Sequence, residues 1–577
     1  MRRSVTANGR VDGVQVWAPL ASHVRVVVGR TATGLTRDGE WWRGADLAPG
    51  TDYAFLLDDS GEPLPDPASR WQPYGVHGAS RVYDQSAHAW SDRLWRGRPL
   101  AGAVLYELHV GTFTPGATFD SAIERLDHLV ALGITHVELL PVNAFNGIWN
   151  WGYDGVGWYA VHEPYGGPDG LKRFVDACHA RGLAVILDVV YNHLGPSGNY
   201  LPRFAPYLKT DRNTWGDLLN FDAREVRDFV IENALMWLRD YHVDALRIDA
   251  VHALRDTAAV HVLAELSDRV RESDLGWQRF LIAESDLNDP MVVTPTADGG
   301  WGMDAQWDDD VHHALHCTLT GEQQGYYGDF ARLTVLATVM SAAFWHDGKY
   351  STFRGRRHGV PVDRATTPGW RFIAALQNHD QVGNRAVGER LPELTTPGLL
   401  RVGAVLLLTS PFTPMLWMGE EWAARTRWPF FTSHPEPELA KATGEGRLAE
   451  FKDHGWDVTQ MIDPQDPAAY RGAILDWSEL DEPAHASILE LYQELIRLRA
   501  SIPDLRDADL SRVHVDYDED ARWLVVHRGA HRVVANLAPR DQTVPTARTT
   551  IILATGTASI VAGGVRIAAE SAAIVAG

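Results

Sequence analysis

Cysteine is nearly absent: the 577 residues contain two, Cys178 and Cys317. Both fall in helix-like segments and neither belongs to a metal-spaced cluster, so they read as free buried thiols. No apolar run reaches the about 18 residues that a membrane-spanning helix needs. The opening stretch MRRSVTANGRVDG is basic but lacks the apolar segment of a secretory leader. Positive charge is not in surplus either. Lys and Arg number 53 against 75 Asp and Glu, a net charge of −22, which argues against nucleic acid or an anionic membrane surface as the main partner. These absences point to a cytoplasmic protein with a neutral substrate, no metal and no cofactor. Aromatic residues, by contrast, are plentiful, with 22 Trp and 17 Tyr. Flat apolar rings suit sugar faces, although core packing accounts for most of them.

A chain this long exceeds a single core and divides into two to four domains. Residues 1–92 carry short alternating strands (Val14 and Val16; Val24, Val26 and Val28; then 40–43 and 52–57) between Gly- and Pro-containing turns, as in a β-sandwich of carbohydrate-binding-module type. From about residue 100 strands alternate with helices. Strands are expected at 104–110, 136–142, 184–190, 244–250, 279–283, 303–307, 372–376 and 415–417. Helices are expected near 121–132, 170–181, 226–238 and 258–270, and a closing one carries Ile488, Leu491, Tyr492, Leu495 and Leu498 on one face. Eight such units predict an α/β fold, a central (β/α)8 TIM barrel over residues 93–504; a doubly wound sheet is the alternative. Two connections, near 193–224 and 310–370, are long enough to be functional subdomains. Residues 505–577 return to short strands and predict a C-terminal β domain.

Polar residues collect at the C-terminal ends of the predicted barrel strands. Strand three ends in DVVYNH (Asp188, Asn192, His193). Strand four ends in Arg247, Asp249 and His252, strand five in Glu284, and strand seven runs into Gln377, Asn378, His379 and Asp380. In a barrel these ends converge on the usual active-site face. Arg247 and Asp249, two apart on a strand, project to the same side, and the guanidinium keeps the carboxylate ionised and oriented. A lone Arg–Asp pair is most often structural, but three carboxylates from three strands on one rim favour catalysis. Paired carboxylates without a metal cluster suit glycoside chemistry: Asp249 as nucleophile, Glu284 after its apolar run as the protonated acid, Asp380 as stabiliser of the transition state. His193, His252 and His379 would bind sugar hydroxyls.

The segments DVVYNH, LRIDAVH, IAES and QNHD resemble, in order, the four signature segments of the α-amylase superfamily of glycoside hydrolases. The resemblance implies a retaining α-glucan enzyme, and it implies that Tyr153 of WGYDG stacks on the sugar and that Asp188, Arg247, Gln377 and Asn378 contact substrate. Members often bind calcium through an Asn of the first segment, here Asn192; the other ligands are not evident, and no calcium is expected. A narrower resemblance, to a hydrolase branch of that superfamily, runs through YELHVGTFT, LLPVNAFNG, WGYDGVGWYAVHEPYGGPDG, YNHLGPSGNYL, IAESDLNDP, DDDVHHALH and FFTSHPEPEL. It implies cleavage of the α-1,4 bond next to a terminal trehalose unit on an α-1,4-glucan, with a trehalose-capping isomerase as metabolic neighbour. Val311 and Cys317 depart from it, standing where an aromatic and a small aliphatic residue are expected. The nearest rival is a glycogen-branching transferase, which would share the barrel and the trio. A barrel that binds glucan without catalysis would need one of the trio to be lost. In DDDVHHALH, position and resemblance assign Asp309, Asp310, His312 and His313 to substrate contacts; His312 and His316 have the spacing of a zinc pair but no third ligand motif. Among the loop aromatics Trp149, Trp151, Trp215, Trp428, Phe430 and Phe431, two or three are expected to line the groove.

Overall fold

The computed structural model describes residues 13–58, 61–213, 215–453, 460–547 and 549–577; the basic opening stretch lies outside them. Eight parallel strands close into a barrel: β1 (Leu105–Leu108), β2 (His136–Leu139), β3 (Ala184–Val189), β4 (Ala245–Ile248), β5 (Phe280–Ala283), β6 (Ala305–Trp307), β7 (Phe372–Ala375) and β8 (Thr413–Trp417), with β8 returning to β1. β3 is buried along its whole length. Helices cover the outer face of the barrel and its own side chains fill the inside, which is why the strand reads as an apolar run. The lower interior packs Leu105, Ile186, Ala245, Phe280, Ala305 and Met415. Outside, the helix Arg224–Asp240 buries Val226, Val230, Ala234, Trp237 and Leu238 on one face, as its 3.6-residue spacing predicts.

Two expected elements differ in detail. The helix read over 121–132 is two, Phe119–Ile123 and Leu126–Leu132. Thr118 and Ser121 cap each other at the first start, and Gly133, at φ 96°, ends the second, a left-handed position that glycine accepts without a Cβ clash. Strand β1 stops at Leu108 because His109 turns the chain. Its ring meets Thr112 Oγ1 and the Asn150 carbonyl, each at 2.9 Å, and Val110–Phe113 is already helical. The insertion after β3 holds a hairpin, Leu208–Arg212 with Asp217–Leu219. The one after β6 holds the helices Asp309–Thr320 and Leu333–Ala342 and a small hairpin, Tyr350–Ser351 with Arg356–Arg357. A pairing between 143–144 and Gly157–Val161, before β3, was not legible in the sequence.

Before the barrel stand a three-stranded and a four-stranded antiparallel sheet, built from strands between Gln15 and Arg81. After it come a five-stranded sheet and a three-stranded one, from His514 to Ala576. Cys178 and Cys317 are free and buried. No helix among the described residues is long and apolar enough to cross a membrane.

Candidate active site

The C-terminal ends of β3, β4 and β5 lie side by side in register, Asp188 opposite Arg247 and Ile248 opposite Ala283. Arg247 is wholly buried, and one nitrogen, Nη1, donates to Asp249 Oδ1 at 2.7 Å and to both Asp188 oxygens at 3.0 and 2.9 Å. Its guanidinium carbon sits 4.4 Å from the ring centre of Trp307. The second oxygen of Asp249 accepts from Asn192 Nδ2 at 2.6 Å. Immediately after Asp249 the backbone turns left-handed at Ala250, φ 41° and ψ 53°, a conformation that costs a residue with a Cβ on the order of 1 kcal/mol. The turn aims the Ala250 N–H at Glu284 Oε2, 2.6 Å away. Arg247 Nη2 lies 3.8 Å from that same oxygen.

One cation thus serves two carboxyl groups with opposite outcomes. Burial would push Asp249 up, but the Arg247 charge, His193 and the hydrogen bonds from Arg247 and Asn192 outweigh it and hold the group below the usual carboxylate range. Glu284 is pushed up to about 8, first by burial and then by the negative charges of Asp249, Asp380 and Asp309, against the pull of Arg247. At neutral pH the pair is one anion beside one acid, which is the division of labour glycoside cleavage needs.

A second chain of contacts supports the first. His379 is buried, and its pKa rises to about 9: burial opposes protonation, but Asp380 and Glu107 override it. Its Nδ1 donates to Glu107 Oε1 at 2.5 Å and its Nε2 meets the Tyr153 hydroxyl at 2.7 Å. Tyr153 in turn donates to Asp188 Oδ2 at 2.6 Å, so hydrogen bonds run from Glu107 to Asn192 through His379, Tyr153, Asp188, Arg247 and Asp249. Tyr153 reaches this place from a tight turn. A Cβ at the preceding Gly152, φ 109°, would stand 2.2 Å from the Pro141 carbonyl oxygen.

Asp249, Glu284, Asp380, Tyr153, His252 and Asp309 are partly exposed at the rim, and His193 lies beneath them, its Nε2 2.9 Å from the Tyr153 carbonyl. Other expected substrate contacts have different occupations. Asp188 and Arg247 are interior. Gln377 Oε1 accepts from Leu391 N at 2.8 Å, and Asn378 caps its own helix through Gln381 N at 2.8 Å. Asp310 Oδ2 takes the backbone N–H groups of Trp345 and His346 and the Asn288 amide, each at 2.8 Å. His312 is buried, with its Nδ1 3.0 Å from that of His313, and His313 lies on Tyr326 at 4.9 Å. These side chains hold the fold behind the rim. Their polar groups find partners within the protein, as buried polar side chains generally do, from backbone at Gln377, Asn378 and Asp310 and from side chains at Asp188, Arg247, His312 and His313. Trp151, Trp428 and Phe431 are likewise buried anchors, whereas Trp215 is half exposed above His193 and His252.

Glu107 and Trp307 belong to the constellation, and reading the sequence did not place them there; Asn192, read at the end of strand three, holds Asp249. For Glu107 a signal existed: a charged residue inside an apolar strand. Among the described residues no group of three or more His, Cys, Asp or Glu side chains could hold a metal ion.

A closed parallel barrel with an Asp–Arg–Glu cluster on its rim defines the α-amylase class of glycosidases, and the family description "Alpha amylase, catalytic domain" matches residues 116–205. Residues 508–575 match "Domain of unknown function (DUF3459)". A malto-oligosyltrehalose trehalohydrolase of Arthrobacter ramosus is 54% identical over 97% of this chain and 98% of its own length. One from Rhizobium sp. (strain M-11) is 52% identical over 96% and 95%. A crystal structure from Salmonella typhimurium, named for alpha amylase, is 36% identical with a TM-score of 0.90 over 98% of this chain and 97% of that one. The chain belongs to the malto-oligosyltrehalose trehalohydrolase family.

Proposed function

We infer that the protein hydrolyses the α-1,4-glucosidic bond next to the terminal trehalose of a maltooligosyl trehalose, releasing trehalose and a maltooligosaccharide. Near-complete alignment with the trehalohydrolases carries this reading. Asp249 is the nucleophile: its anion attacks the anomeric carbon while Glu284 gives its proton to the glycosidic oxygen, and trehalose leaves. Glu284, now a carboxylate, takes a proton from water. That water attacks the same carbon, frees the maltooligosaccharide and restores Asp249. Two inversions give net retention, which needs carboxyls ~5–5.5 Å apart; a single guanidinium reaching both groups fits so compact a pair. Asp380 stabilises the oxocarbenium-like transition state, Tyr153 stacks on the sugar, and His193, His252 and Asp309 line its hydroxyl side.

The substrate is a product of a maltooligosyltrehalose synthase, the expected functional neighbour, and a cytoplasmic setting suits two unpaired thiols. The experiment is a product assay on a trehalose-ended maltooligosaccharide and, separately, on amylose. Free trehalose from the first with little change in the second is the expected result. New α-1,6 branches in amylose, with no trehalose released, would replace this reading with a branching transferase.

A further inference from the structure

Directly beneath the catalytic floor, the uppermost interior layer of the barrel is polar, and part of it has no role in the reaction as described. Glu138 stands on β2, opposite Glu107 of β1 in register. It is 1% exposed, and neither carboxyl oxygen has a hydrogen-bond partner. The layer also contains indole Nε1 of Trp307 on β6, indole Nε1 of Trp417 on β8, and Nε and Nη2 of Arg247 on β4, all buried and without a hydrogen-bond partner. Leaving even one such group unpaired costs about 1–3 kcal/mol. Here two acceptors and four donors from four strands face one interior. Groups of this number and complementary kind are the setting in which buried water is retained.

We propose that the top of the barrel holds ordered water bound to Glu138, and that Glu138 acts through it as a positioning residue for Arg247 and so for Asp249. Nη1 makes the hydrogen bonds to Asp188 and Asp249, the guanidinium lies over the Trp307 ring and Nη2 is 3.8 Å from Glu284, but neither Nε nor Nη2 makes a hydrogen bond, and the water supplies it. The charged groups facing Glu138 are Glu107, Arg247, Asp188 and His379, and burial with Glu107 foremost pushes its carboxyl well above the usual range. Burial and the neighbouring Glu107 thus favour the neutral acid, which can give one hydrogen bond and accept others. A second anion beside Glu107 would compete with Asp249 for the guanidinium; a neutral one orders water without that competition.

This inference rests on Asp249 being the nucleophile, and its test has readouts that do not. Glu138→Gln keeps a neutral polar group of the same shape, whereas Glu138→Leu removes the water's anchor. In Gln, kcat is expected to stay within about threefold and the pH profile to be unchanged. In Leu, with thermal unfolding confirming the fold, kcat is expected to fall roughly tenfold to a hundredfold, the scale for a misplaced reacting group. KM should change little, and the acid limb should move to higher pH as the guanidinium loosens. Wild-type kcat and acid limb in the Leu variant would overturn the proposal, as would equal loss in both folded variants. Independently, infrared difference spectra of wild type against Gln should show the carbonyl stretch of a protonated carboxyl group at pH 7. Its absence would overturn the neutral acid even if the Leu variant did not fold. A high-resolution crystal structure with a dry layer at Glu138 would overturn the water.

Discussion

Two stretches of this chain look alike on paper: RIDAVHAL after β4 and DDDVHHALH after β6. Each follows a barrel strand, each sets acids beside histidines, and both reach the same rim. The first converges on chemistry, because Asp249 is held by two side chains and its backbone turns left-handed to bring a main-chain N–H to Glu284. The second is mostly turned inward. Asp308 caps its helix through Val311 N at 3.2 Å, and Asp310 binds the backbone at 345–346. Only Asp309 remains partly open to the site. Composition and position are therefore insufficient; what separates the two is whether a carboxylate's lone pairs are already taken by backbone donors.

Mutations can break that comparison. The largest effects belong to the first stretch. Asp249→Ala and Glu284→Gln should each lower turnover at least about a hundredfold with folding intact, as loss of covalent or acid catalysis does. Near-normal rates in either variant would remove it from the mechanism. Next, Asn192→Ala frees one oxygen of Asp249 and removes a bond that favours its anion, so the acid limb of kcat/KM should rise in pH, with kcat down about tenfold. An unchanged limb would mean that Arg247 alone holds the charge.

The second stretch should answer in stability instead. Asp310→Ala orphans two backbone N–H groups and an amide, at about 1–3 kcal/mol for each buried group, so the melting temperature should drop while KM and kcat at low temperature stay close to wild type. A selective rise in KM would restore Asp310 to the substrate site.

The pH dependence sharpens the same contrast. Glu284 must keep its proton, so kcat/KM should fall as pH rises through about 8. Asp309, itself pushed up to about 7 by burial and by Asp380, Asp286 and Asp310, adds negative potential at Glu284. Asp309→Asn should therefore move the basic limb slightly to lower pH. The smallest effect is on stability. His379 and Glu284 both bind protons more tightly in the folded protein than unfolded, with folded pKa values of about 9 and about 8. The folded state thus holds more protons, and the melting temperature should decline between pH 7 and 9. A melting temperature rising over that interval would contradict both assignments.

Much of the fold is legible in the sequence alone. The eight buried runs set the barrel, because a parallel strand covered on both faces has little choice but to be apolar. The three carboxylates stood out because each ends such a run. Val311 and Cys317, the two departures from the narrower resemblance, pack within the buried face of their helix and leave the rim untouched. The helix break at Arg125 and the early end of β1 were not readable, since apolar periodicity continues across the first and the second follows from the side-chain contacts of His109.

The sequence by itself determined the class of fold and the family and nominated the carboxylate trio, because these depend on local periodicity and on motifs a few residues long. Which polar groups open onto the rim, and which are buried behind it, was decided only by tertiary structure. Glu107 meets His379 across 272 residues, Asn192 meets Asp249 across 57, and Asp310 meets Trp345 across 35. A hydrogen bond that must be made in a buried site goes to whatever donor the closed barrel brings there, and closure joins segments that no local pattern relates.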